Sequence, residues 1–212
     1  MMPQERQEQE IPRVSMTDEE IEAANLKTPP LLNSSIKLME YTPEWAAAFT
    51  EEARRMSDGL GALPHRIEHT GSTSVPGLPA KPVIDILLIV PDSADESAYV
   101  PSLSPLGYTL AIREPDWYEH RVLRKPDLAP SAESANLHVL STGCPEIQRM
   151  ILFRDWLRAH TNDRDLYART KRDLAQRTWT YMQHYADAKS EVIADILERA
   201  MRAEPSSAHG SS

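Results

Sequence analysis

Apolar residues follow a strand-like pattern in the middle of the chain and a helical pattern on either side of it. The clearest strand is predicted at 83–90, where the continuous run Val-Ile-Asp-Ile-Leu-Leu-Ile-Val is typical of a buried strand. Further strands of the same sheet are predicted at 65–69, 108–112, 119–124 and 135–140, with a separate short strand at 36–40. The central part of the chain is therefore predicted to form a sheet.

Helical spacing of apolar residues flanks this predicted sheet. Pro43 suits the first turn of a helix that ends near Gly59 and is expected to cover the sheet. The remaining helices are predicted at 95–103, 145–160, 163–185 and 192–200. Because the strands precede most of the helices, the pattern predicts an α+β domain with a covering helix and a C-terminal helical layer.

The two ends of the chain are polar. Residues 1–33 have few large apolar residues, and residues 1–28 carry seven acids against three bases. This composition predicts a disordered acidic N-terminal tail, with a transient helix where Thr17 and Glu20 offer a capping box. The folded domain is predicted at residues 34–203, followed by a disordered C-terminal end at 204–212.

Composition indicates one globular domain in a reducing compartment. The chain has 212 residues, of which 41% are hydrophobic and 26% are charged, enough to bury a full core. A single cysteine, Cys144, excludes an intramolecular disulfide. No apolar run approaches the roughly 20 residues that span a bilayer. A cytoplasmic protein without a membrane partner is expected, and the sequence does not indicate its oligomeric state.

The charge is unevenly distributed along the chain. A net charge of −9 argues against nucleic acid as the main partner. Residues 149–177, however, carry eight bases against four acids, which keeps RNA and phosphate-bearing ligands open. Arg154 and Arg158 share one helix face, and Lys171 is a further candidate for phosphate contact. The alternative is a solvated face, which is favoured for all of these residues except Arg154.

A loop of small residues, Gly71-Ser72-Thr73-Ser74, separates two of the predicted strands. Glycine has no side chain to hold a ligand away, so this loop can bring backbone N–H groups and hydroxyls close to a phosphate. The alternative is a loop whose hydroxyls cap its own backbone. Gly71 and Ser72 are the strongest candidates for ligand contact, followed by Thr73 and Ser74.

A lone carboxylate, Asp85, interrupts the apolar strand that follows the loop. A buried carboxylate is costly unless a cation or strong donors accompany it, so Asp85 is either a Mg²⁺ ligand or an acceptor that orders the loop. Lys81 can pair with Asp85 or contact a triphosphate, and Pro82 favours an extended backbone at Lys81. Both residues are candidates for the site.

Two histidines extend this hypothesis. Glu68 and His69 lie on opposite faces of their predicted strand, so one of them faces the site. His138 lies on an alternating strand and offers a metal ligand or a proton-transfer group. If His69, Asp85 and His138 converge, they form a three-ligand metal site with an open position. A lone strand histidine is more often a hydrogen-bonded structural residue.

Several motifs of the sequence also resemble those of a known family. Residues 68–86 read Glu-His-x-Gly-Ser-Thr-Ser-Val-Pro-Gly-Leu-x-Ala-Lys-Pro-x-Ile-Asp-Ile, which resembles the GrpB family, also catalogued as the uncharacterised protein family UPF0157. The resemblance covers about residues 36–203. It extends to Tyr41-Thr42-Pro43-Glu44-Trp45, Asn136-Leu137-His138-Val139, Phe153-Arg154-Asp155-Trp156-Leu157-Arg158, and Tyr167 with Lys171.

This resemblance implies a nucleotidyltransferase-like mixed sheet and a phosphate-binding site. It implies that Gly71 and Ser72 hold nucleotide phosphates, that Asp85 and His138 are catalytic and hold Mg²⁺, and that Arg154 contacts the ligand. The chain departs from the active superfamily pattern at Leu87, where a second acid usually lies two residues after the first. One carboxylate makes a weaker metal site than two.

Three functions follow from these expectations. The first is Mg²⁺-dependent nucleotidyl transfer to an unknown acceptor. The second is a non-catalytic adaptor module that binds a nucleotide or another phosphorylated small molecule, which the missing second acid favours. The third is recruitment of the scaffold to tailoring or condensation of a small metabolite, with the histidines carrying the chemistry.

Overall fold

The computed structural model describes residues 15–128 and 132–203. Within these residues the chain forms five strands and seven α-helices. The strands are β1 (Arg66–Thr70), β2 (Val83–Val90), β3 (Thr109–Glu114), β4 (His120–Pro126) and β5 (Ser134–Ser141). The helices are α1 (Asp18–Ala24), α2 (Glu44–Leu60), α3 (Val100–Leu103), α4 (Pro145–Ala159), α5 (Thr161–Ala175), α6 (Met182–Asp187) and α7 (Ser190–Ala203).

The strands form one mixed sheet in the order β1-β2-β5-β4-β3. The central pair, β2 and β5, is parallel, and every other neighbouring pair is antiparallel. The register places Thr70, Asp85, Asn136 and Arg124 side by side across four strands, so their side chains share one face. The predicted α+β class with a mixed sheet is confirmed.

The α2 helix covers the opposite face of the sheet, as the sequence predicts. Trp45 and Met56 of this helix are completely buried against Ile84, Ile86 and Leu88 of β2. These three strand residues alternate with Asp85 and Leu87, because neighbouring side chains on a strand point to opposite faces. The face that carries Asp85 is therefore free for other partners.

The C-terminal helices cover part of the face that carries Asp85. α4 packs on the β2–β5 pair through a buried cluster that includes Leu87, Leu140 and Ile147. α5 and α7 pack with α4 over the chain that follows the small-residue loop, where Leu78 and Tyr167 are buried. This C-terminal helical layer leaves the Asp85 end of the strands uncovered, and a cavity lies there.

Two predicted elements differ in the structure. The helix expected at 163–185 is divided, because α5 ends at Ala175 and α6 begins at Met182. Trp179, between them, forms a bridge with Ser34. Residues 36–40 do not form a strand of the sheet, and Met39 makes only an isolated bridge with Ala80.

The N-terminal segment also differs from the expected disordered tail over residues 15–33. Thr17 and Glu20 close the predicted capping box at the start of α1. Ile21 is only 3% exposed, and Asn25 forms a bridge with Ile112 at the edge of the sheet. This part of the tail therefore packs against the domain. Residues 1–14 and 204–212 lie outside the described residues, and the disorder expected there stays a prediction.

No described helix is both long enough and apolar enough to cross a bilayer.

Candidate functional site

A cavity of about 620 Å³ lies on the sheet face opposite α2. Its floor is formed by β2, β4 and β5, and its walls are formed by the small-residue loop, the helices α5 and α6 with the turn that follows α6, and the N-terminal segment 16–30. Among the predicted site residues, those that line it are Gly71, Ser72, Thr73, Lys81, Asp85 and His138. We call this space the central cavity.

The small-residue loop approaches Asp85 closely because Gly71 has no side chain. Gly71 has a φ of +66°, and a Cβ atom built on it would lie 2.3 Å from Asp85 Oδ2. Ser72 forms a side-chain hydrogen bond with Tyr167. The Thr73 hydroxyl donates to the Val83 carbonyl at 3.2 Å, and the Ser74 hydroxyl donates to the Gly71 carbonyl at 2.6 Å.

Different residues of the loop thus fill its two expected roles, ligand contact and capping of the loop backbone. Ser74 is buried and does not line the central cavity, so its hydroxyl caps the loop backbone. Thr73 reaches the cavity wall, but its hydroxyl is engaged with the backbone of the next strand. Gly71 and Ser72 are the loop residues best placed for a ligand.

Asp85 lies at the floor of the central cavity. Asn136 donates a hydrogen bond from Nδ2 to Asp85 Oδ1 at 3.1 Å, and His138 Nε2 lies 4.0 Å from the same oxygen. The Asp85 side chain is 30% exposed, and that exposure is toward the cavity. Burial raises the pKa of Asp85, while Lys81 and the Asn136 hydrogen bond act in the opposite direction.

Three lysines line the same cavity around Asp85. Lys171 donates to the Pro79 carbonyl at 2.5 Å, and Lys189 donates to the Tyr185 carbonyl at 2.6 Å. Lys81 lies at the mouth, with Nζ 2.9 Å from the sulfur of Met182. None of these contacts supplies a negative charge.

The negative charge near the three lysines is consequently too small to balance their positive charges. Burial is the main cause that lowers the pKa of each lysine, and it lowers that of Lys189 to about 7. Repulsion from Lys189 and Lys81 further lowers the pKa of Lys171, and repulsion from Lys81 further lowers that of Lys189. Asp85 favours the charged form of all three, Glu133 also favours that of Lys81, and Asp187 also favours that of Lys189, yet burial outweighs these carboxylates at each lysine. Such an arrangement attracts an anion.

A chain of hydrogen bonds runs along the floor of the cavity, from β3 through β4 toward Asp85. Glu114 Oε2 lies 2.6 Å from His120 Nδ1, and His120 Nε2 lies 3.1 Å from His138 Nδ1. The two imidazole rings are stacked, with centroids 5.3 Å apart and an angle of 9° between their planes. His120 and His138 thereby connect the Glu114 carboxylate to the space beside Asp85.

Comparison with known proteins assigns the chain to a family. The family model described as GrpB protein matches residues 35–199. The chain belongs to the GrpB family. The resemblance identified from residues 68–86 is thereby confirmed.

Relatives of this GrpB-family protein occur in several bacteria. A UPF0157 protein from Halalkalibacterium halodurans is 55% identical over 184 residues, which cover 87% of this chain and 92% of that protein. A UPF0157 protein from Streptomyces coelicolor is 42% identical, covering 78% of this chain and 84% of that protein. A dephospho-CoA kinase from Mycolicibacterium paratuberculosis is 31% identical, covering 84% of this chain but 49% of the kinase.

One solved structure agrees with this family assignment. The crystal structure of the conserved protein GrpB from Enterococcus faecalis superposes with a TM-score of 0.67 and 31% sequence identity, covering 78% of this chain and 98% of that chain. The Cid1 poly(U) polymerase reaches a TM-score of 0.44 with 10% identity, covering 63% of this chain and 45% of that chain. The likeness to Cid1 is too distant to carry an argument about fold or activity.

The predicted three-ligand metal site does not assemble in this GrpB-family protein. His69 lies on the α2 side of the sheet, where its ring stacks on Phe49 at 4.6 Å and its Nε2 is 3.1 Å from the Thr73 hydroxyl. Burial is the main cause that lowers the pKa of His69 to about 3, so the ring is neutral. Asp85 and His138 face the opposite side, so His69 has no place in the site.

The remaining donors do not fit a resident Mg²⁺ ion. No group of three His, Cys, Asp or Glu side chains that can hold a metal occurs among residues 15–128 and 132–203. Asp85 has three lysines of the same cavity around it, and their positive charges repel a divalent cation. A second acid at position 87 would not help, because Leu87 is completely buried against α4.

Arg154 does not reach the central cavity as a free cation. Its guanidinium lies 2.7 Å from the Glu68 carboxylate and 3.0 Å from the His69 carbonyl, and it also pairs with Asp155. It therefore joins α4 to β1 at the base of the loop and does not line the central cavity, and its contact with a ligand stays a prediction. Glu68 is the member of the Glu68–His69 pair that faces the same side of the sheet as Asp85.

Several cavity residues were missed or undervalued in the sequence. Lys171 was a candidate only as part of a solvated basic face, and Lys189 had no motif around it. Glu114 and His120 lie on β3 and β4, and no local spacing links them to His138. Arg124 also lines the cavity, and its guanidinium has no ion-pair partner within the described part of the chain. Spacing alone shows only that Arg121 and Arg124, three residues apart on one strand, face opposite sides of the sheet.

Proposed function

We propose that the central cavity binds a phosphate-bearing small molecule, of the nucleotide class that the family resemblance suggests. One observation carries the proposal: three buried or half-buried lysines line one cavity, and Asp85 is the carboxylate that acts on all three, while Glu133 acts on Lys81 and Asp187 on Lys189. The ligand phosphate would lie between these ammonium groups and the loop at Gly71 and Ser72. The negative charges that the lysines lack would then come from the ligand.

Electrostatics support this proposal. An ammonium group removed from water loses hydration, and a nearby opposite charge restores part of that free energy. A phosphate carries up to two negative charges and several acceptor oxygens, so it can accept hydrogen bonds from Lys81, Lys171 and Lys189 together. Asp85 and Asn136 would set the edge of the phosphate position, because a carboxylate repels a phosphate oxygen.

The dimensions and walls of the cavity favour an organic portion beside the phosphate. A volume of about 620 Å³ lies within the range of small-molecule sites. Apolar side chains from the N-terminal segment and from the sheet form the part of the wall away from the lysines, including Ile21, Ile112 and Val122. A nucleoside or another compact organic group suits that part.

Magnesium is not required by this proposal. In a two-metal nucleotidyltransferase the cations neutralise the phosphates, whereas here the lysines can supply that charge. Nucleotidyl transfer with Mg²⁺ then needs the ion to arrive with the ligand, held by its phosphates and by Asp85. Ligand binding in the presence of a chelator distinguishes phosphate binding by the lysines alone from binding that needs Mg²⁺.

The test is ligand-induced thermal stabilisation of the full chain. The probes are ATP, GTP, CTP, UTP, pyrophosphate and dephospho-CoA, each with Mg²⁺ or with EDTA. We expect stabilisation that survives EDTA, that falls in Lys189→Met and Lys171→Met, and that persists in Lys37→Met, which removes an exposed lysine. Absence of stabilisation by every probe would overturn the proposal, and stabilisation only with Mg²⁺ would restore the magnesium-dependent reading.

A second candidate is the adaptor module, which the comparison with dephospho-CoA kinase favours. The chain spans about half of that kinase. We propose that such a module would recognise a coenzyme A precursor through its phosphates in the same cavity. Stabilisation by dephospho-CoA, with none by the four nucleoside triphosphates, is the outcome expected for this candidate.

A further inference from the structure

Arg124 brings positive charge to a part of the central cavity that the phosphate proposal does not use. It lies on β4 and lines the cavity. Within residues 15–128 and 132–203, its guanidinium forms no hydrogen bond and no ion pair. Arg124 also lowers the pKa of Lys81, so the two cations lie near each other. A guanidinium that faces a cavity in this way is a candidate for contact with an anionic ligand.

The strand register separates Arg124 from the small-residue loop. Arg124 pairs with Asn136 of β5, and Asn136 pairs with Asp85 of β2. Neighbouring strands lie about 4.8 Å apart, so the backbones of Arg124 and Asp85 lie about 10 Å apart. Gly71 contacts Asp85 from the other side, because it follows β1, whose last residue Thr70 pairs with Asp85. Asp85 and Asn136 therefore lie between the loop and Arg124.

The middle of the cavity floor suits an uncharged part of a ligand. Asn136 donates from Nδ2 to Asp85 Oδ1 at 3.1 Å, and the amide oxygen of Asn136 is a hydrogen-bond acceptor. The Asp85 carboxylate repels a phosphate oxygen but accepts a hydrogen bond from a hydroxyl group. A continuous phosphate chain that crossed this point would be repelled, whereas a sugar with hydroxyl groups would find acceptors there.

We propose that Arg124 forms a second anion subsite, and that the ligand of the central cavity carries two anionic groups on either side of an uncharged, hydroxyl-bearing part. The inference rests on the proposed phosphate site, because the first anionic group is the phosphate held by the lysines and the loop. The second group is held by the guanidinium of Arg124. Nucleoside bisphosphates and sugar bisphosphates share this chemistry.

The charges around Arg124 support the second subsite. The charge of Lys81 is balanced in part by Asp85 and Glu133. Burial lowers the pKa of Arg124, and no carboxylate among the described residues offsets this effect. An anionic group beside Arg124 would restore part of the free energy that the guanidinium loses with its hydration. The planar guanidinium can donate two parallel hydrogen bonds to such a group.

A solvated surface arginine is the alternative for Arg124. The other arginine of β4, Arg121, shows the contrast, because it faces the opposite side of the sheet. Arg121 is paired with Glu96 at 2.7 Å and with Glu119 at 3.1 Å. Arg124 instead lies on the cavity face beside another cation, Lys81. The two arginines thus differ as expected if Arg124 serves a ligand and Arg121 serves the fold.

The test is calorimetric titration of the full chain in EDTA with two matched pairs of probes. One pair is AMP and adenosine 3′,5′-bisphosphate, and the other is fructose 6-phosphate and fructose 1,6-bisphosphate. We expect the bisphosphate of at least one pair to bind about tenfold or more tightly than its monophosphate, since the second phosphate gains charge-assisted hydrogen bonds. The pair that shows this gain identifies the ligand as a nucleoside or a sugar derivative.

Arg124→Met removes the guanidinium and should abolish most of this gain. The affinities for the two monophosphates and for ADP, whose phosphates adjoin each other, should stay within about twofold, since a screened charge about 10 Å away contributes little. Arg169→Met is the matched control, because Arg169 is exposed and does not line the cavity. This control should match the natural protein with every probe.

The outcomes separate this inference from the phosphate site. If some of the probes bind but neither bisphosphate binds more tightly than its monophosphate, the second subsite is wrong and the phosphate site stands. A gain that persists in Arg124→Met would also overturn the inference, as would an equal loss of affinity for ADP and for the bisphosphates in that variant. Absence of binding by every probe would instead remove the phosphate site on which the inference rests.

Discussion

Gly71 and Asp85 occupy adjoining space that leaves no room for a side chain at position 71. A Cβ atom there would lie 2.3 Å from Asp85 Oδ2 and 2.8 Å from Asp85 Cβ, closer than real Cβ contacts. Gly71 also has a φ of +66°, which L side chains rarely adopt. The loop and the carboxylate can thus keep their positions only while residue 71 is glycine.

The first prediction concerns Gly71→Ala. We expect the variant to lose anion binding, because either the loop or Asp85 must move, and to lose roughly 1–3 kcal/mol of stability or more. Urea unfolding and sulfate titration measure the two effects. Gly61→Ala is the matched control, since Gly61 has a φ of +56° but nothing within 4 Å of its Cβ position. Equal sulfate binding by both variants would contradict the prediction.

The second prediction concerns proton uptake on anion binding. The pKa of Lys189 is about 7 in the free protein, and a bound anion favours its charged form, so the pKa rises in the complex. Binding above pH 7 therefore takes up protons, and affinity should fall as the pH rises, by up to about tenfold per pH unit for each proton. Sulfate is the probe, because it does not titrate in this range.

Calorimetry in two buffers of different ionisation enthalpy measures this uptake. The apparent binding heat should depend on the buffer at pH 8 for the natural protein and less so for Lys189→Met. The Lys37→Met variant should match the natural protein, because Lys37 is exposed. A binding heat that is the same in both buffers would show that no proton is taken up and that Lys189 is not part of the anion site.

The third prediction concerns acid stability and His69. Its folded pKa of about 3 lies below the unfolded value near 6.5, so the unfolded state binds the proton more readily between these values. Stability should therefore fall as the pH drops from about 6.5 toward 3, by up to about 1.4 kcal/mol per pH unit from this group.

His69→Phe keeps a ring against Phe49 and removes this titration. Urea unfolding at pH 7 and pH 5 should show a smaller loss of stability in the variant than in the natural protein. Sulfate binding should be retained, because His69 lies on the α2 face of the sheet. If His69→Phe abolished sulfate binding, the assignment of His69 to the opposite face would be wrong.

The fourth prediction concerns the N-terminal segment that closes the central cavity. Tyr181 donates to Glu22 at 2.7 Å, and Asp18 lies 3.1 Å from His184, so α1 is attached to α6 as well as to the sheet edge. Ile21 is its main apolar anchor. Ile21→Ala should weaken this attachment by about 2–5 kcal/mol, as buried truncations do.

Two measurements check the effect of Ile21→Ala. Trypsin should cleave after Lys27 faster than in the natural protein, and a fluorescent nucleotide should dissociate faster. Leu26→Ala is the control, because that side chain is 44% exposed while its backbone N–H donates to the Ala111 carbonyl in either variant. A faster release in Leu26→Ala than in Ile21→Ala would place the anchor elsewhere.

The sheet and the loop were predictable because local patterns define them. The β-branched run of β2 allows no other buried element of that length, and Gly71-Ser72 marks a close approach by composition alone. The covering helix followed from its apolar spacing. These features depend on residues close together in the chain.

What the sequence did not reveal depends on contacts between distant residues. Ile21 is one apolar anchor in an acidic stretch, so average composition predicted disorder where a short helix docks. The helix expected at 163–185 is divided, and Tyr181, between its two parts, donates to Glu22 of α1, a contact that apolar spacing does not indicate. The strand register places His69 away from Asp85, and Lys189 reaches the cavity from the turn between α6 and α7.

The contacts of the N-terminal segment also set an order of events during synthesis. Residues 16–30 precede the whole domain, yet their partners at Ile112 and at residues 181–187 are made about 90 and 160 positions later. The segment leaves the ribosome before the rest of the domain and cannot dock until α6 exists. The part of the domain that is made earliest is thus placed last, and the site stays open to solvent until α6 has been made.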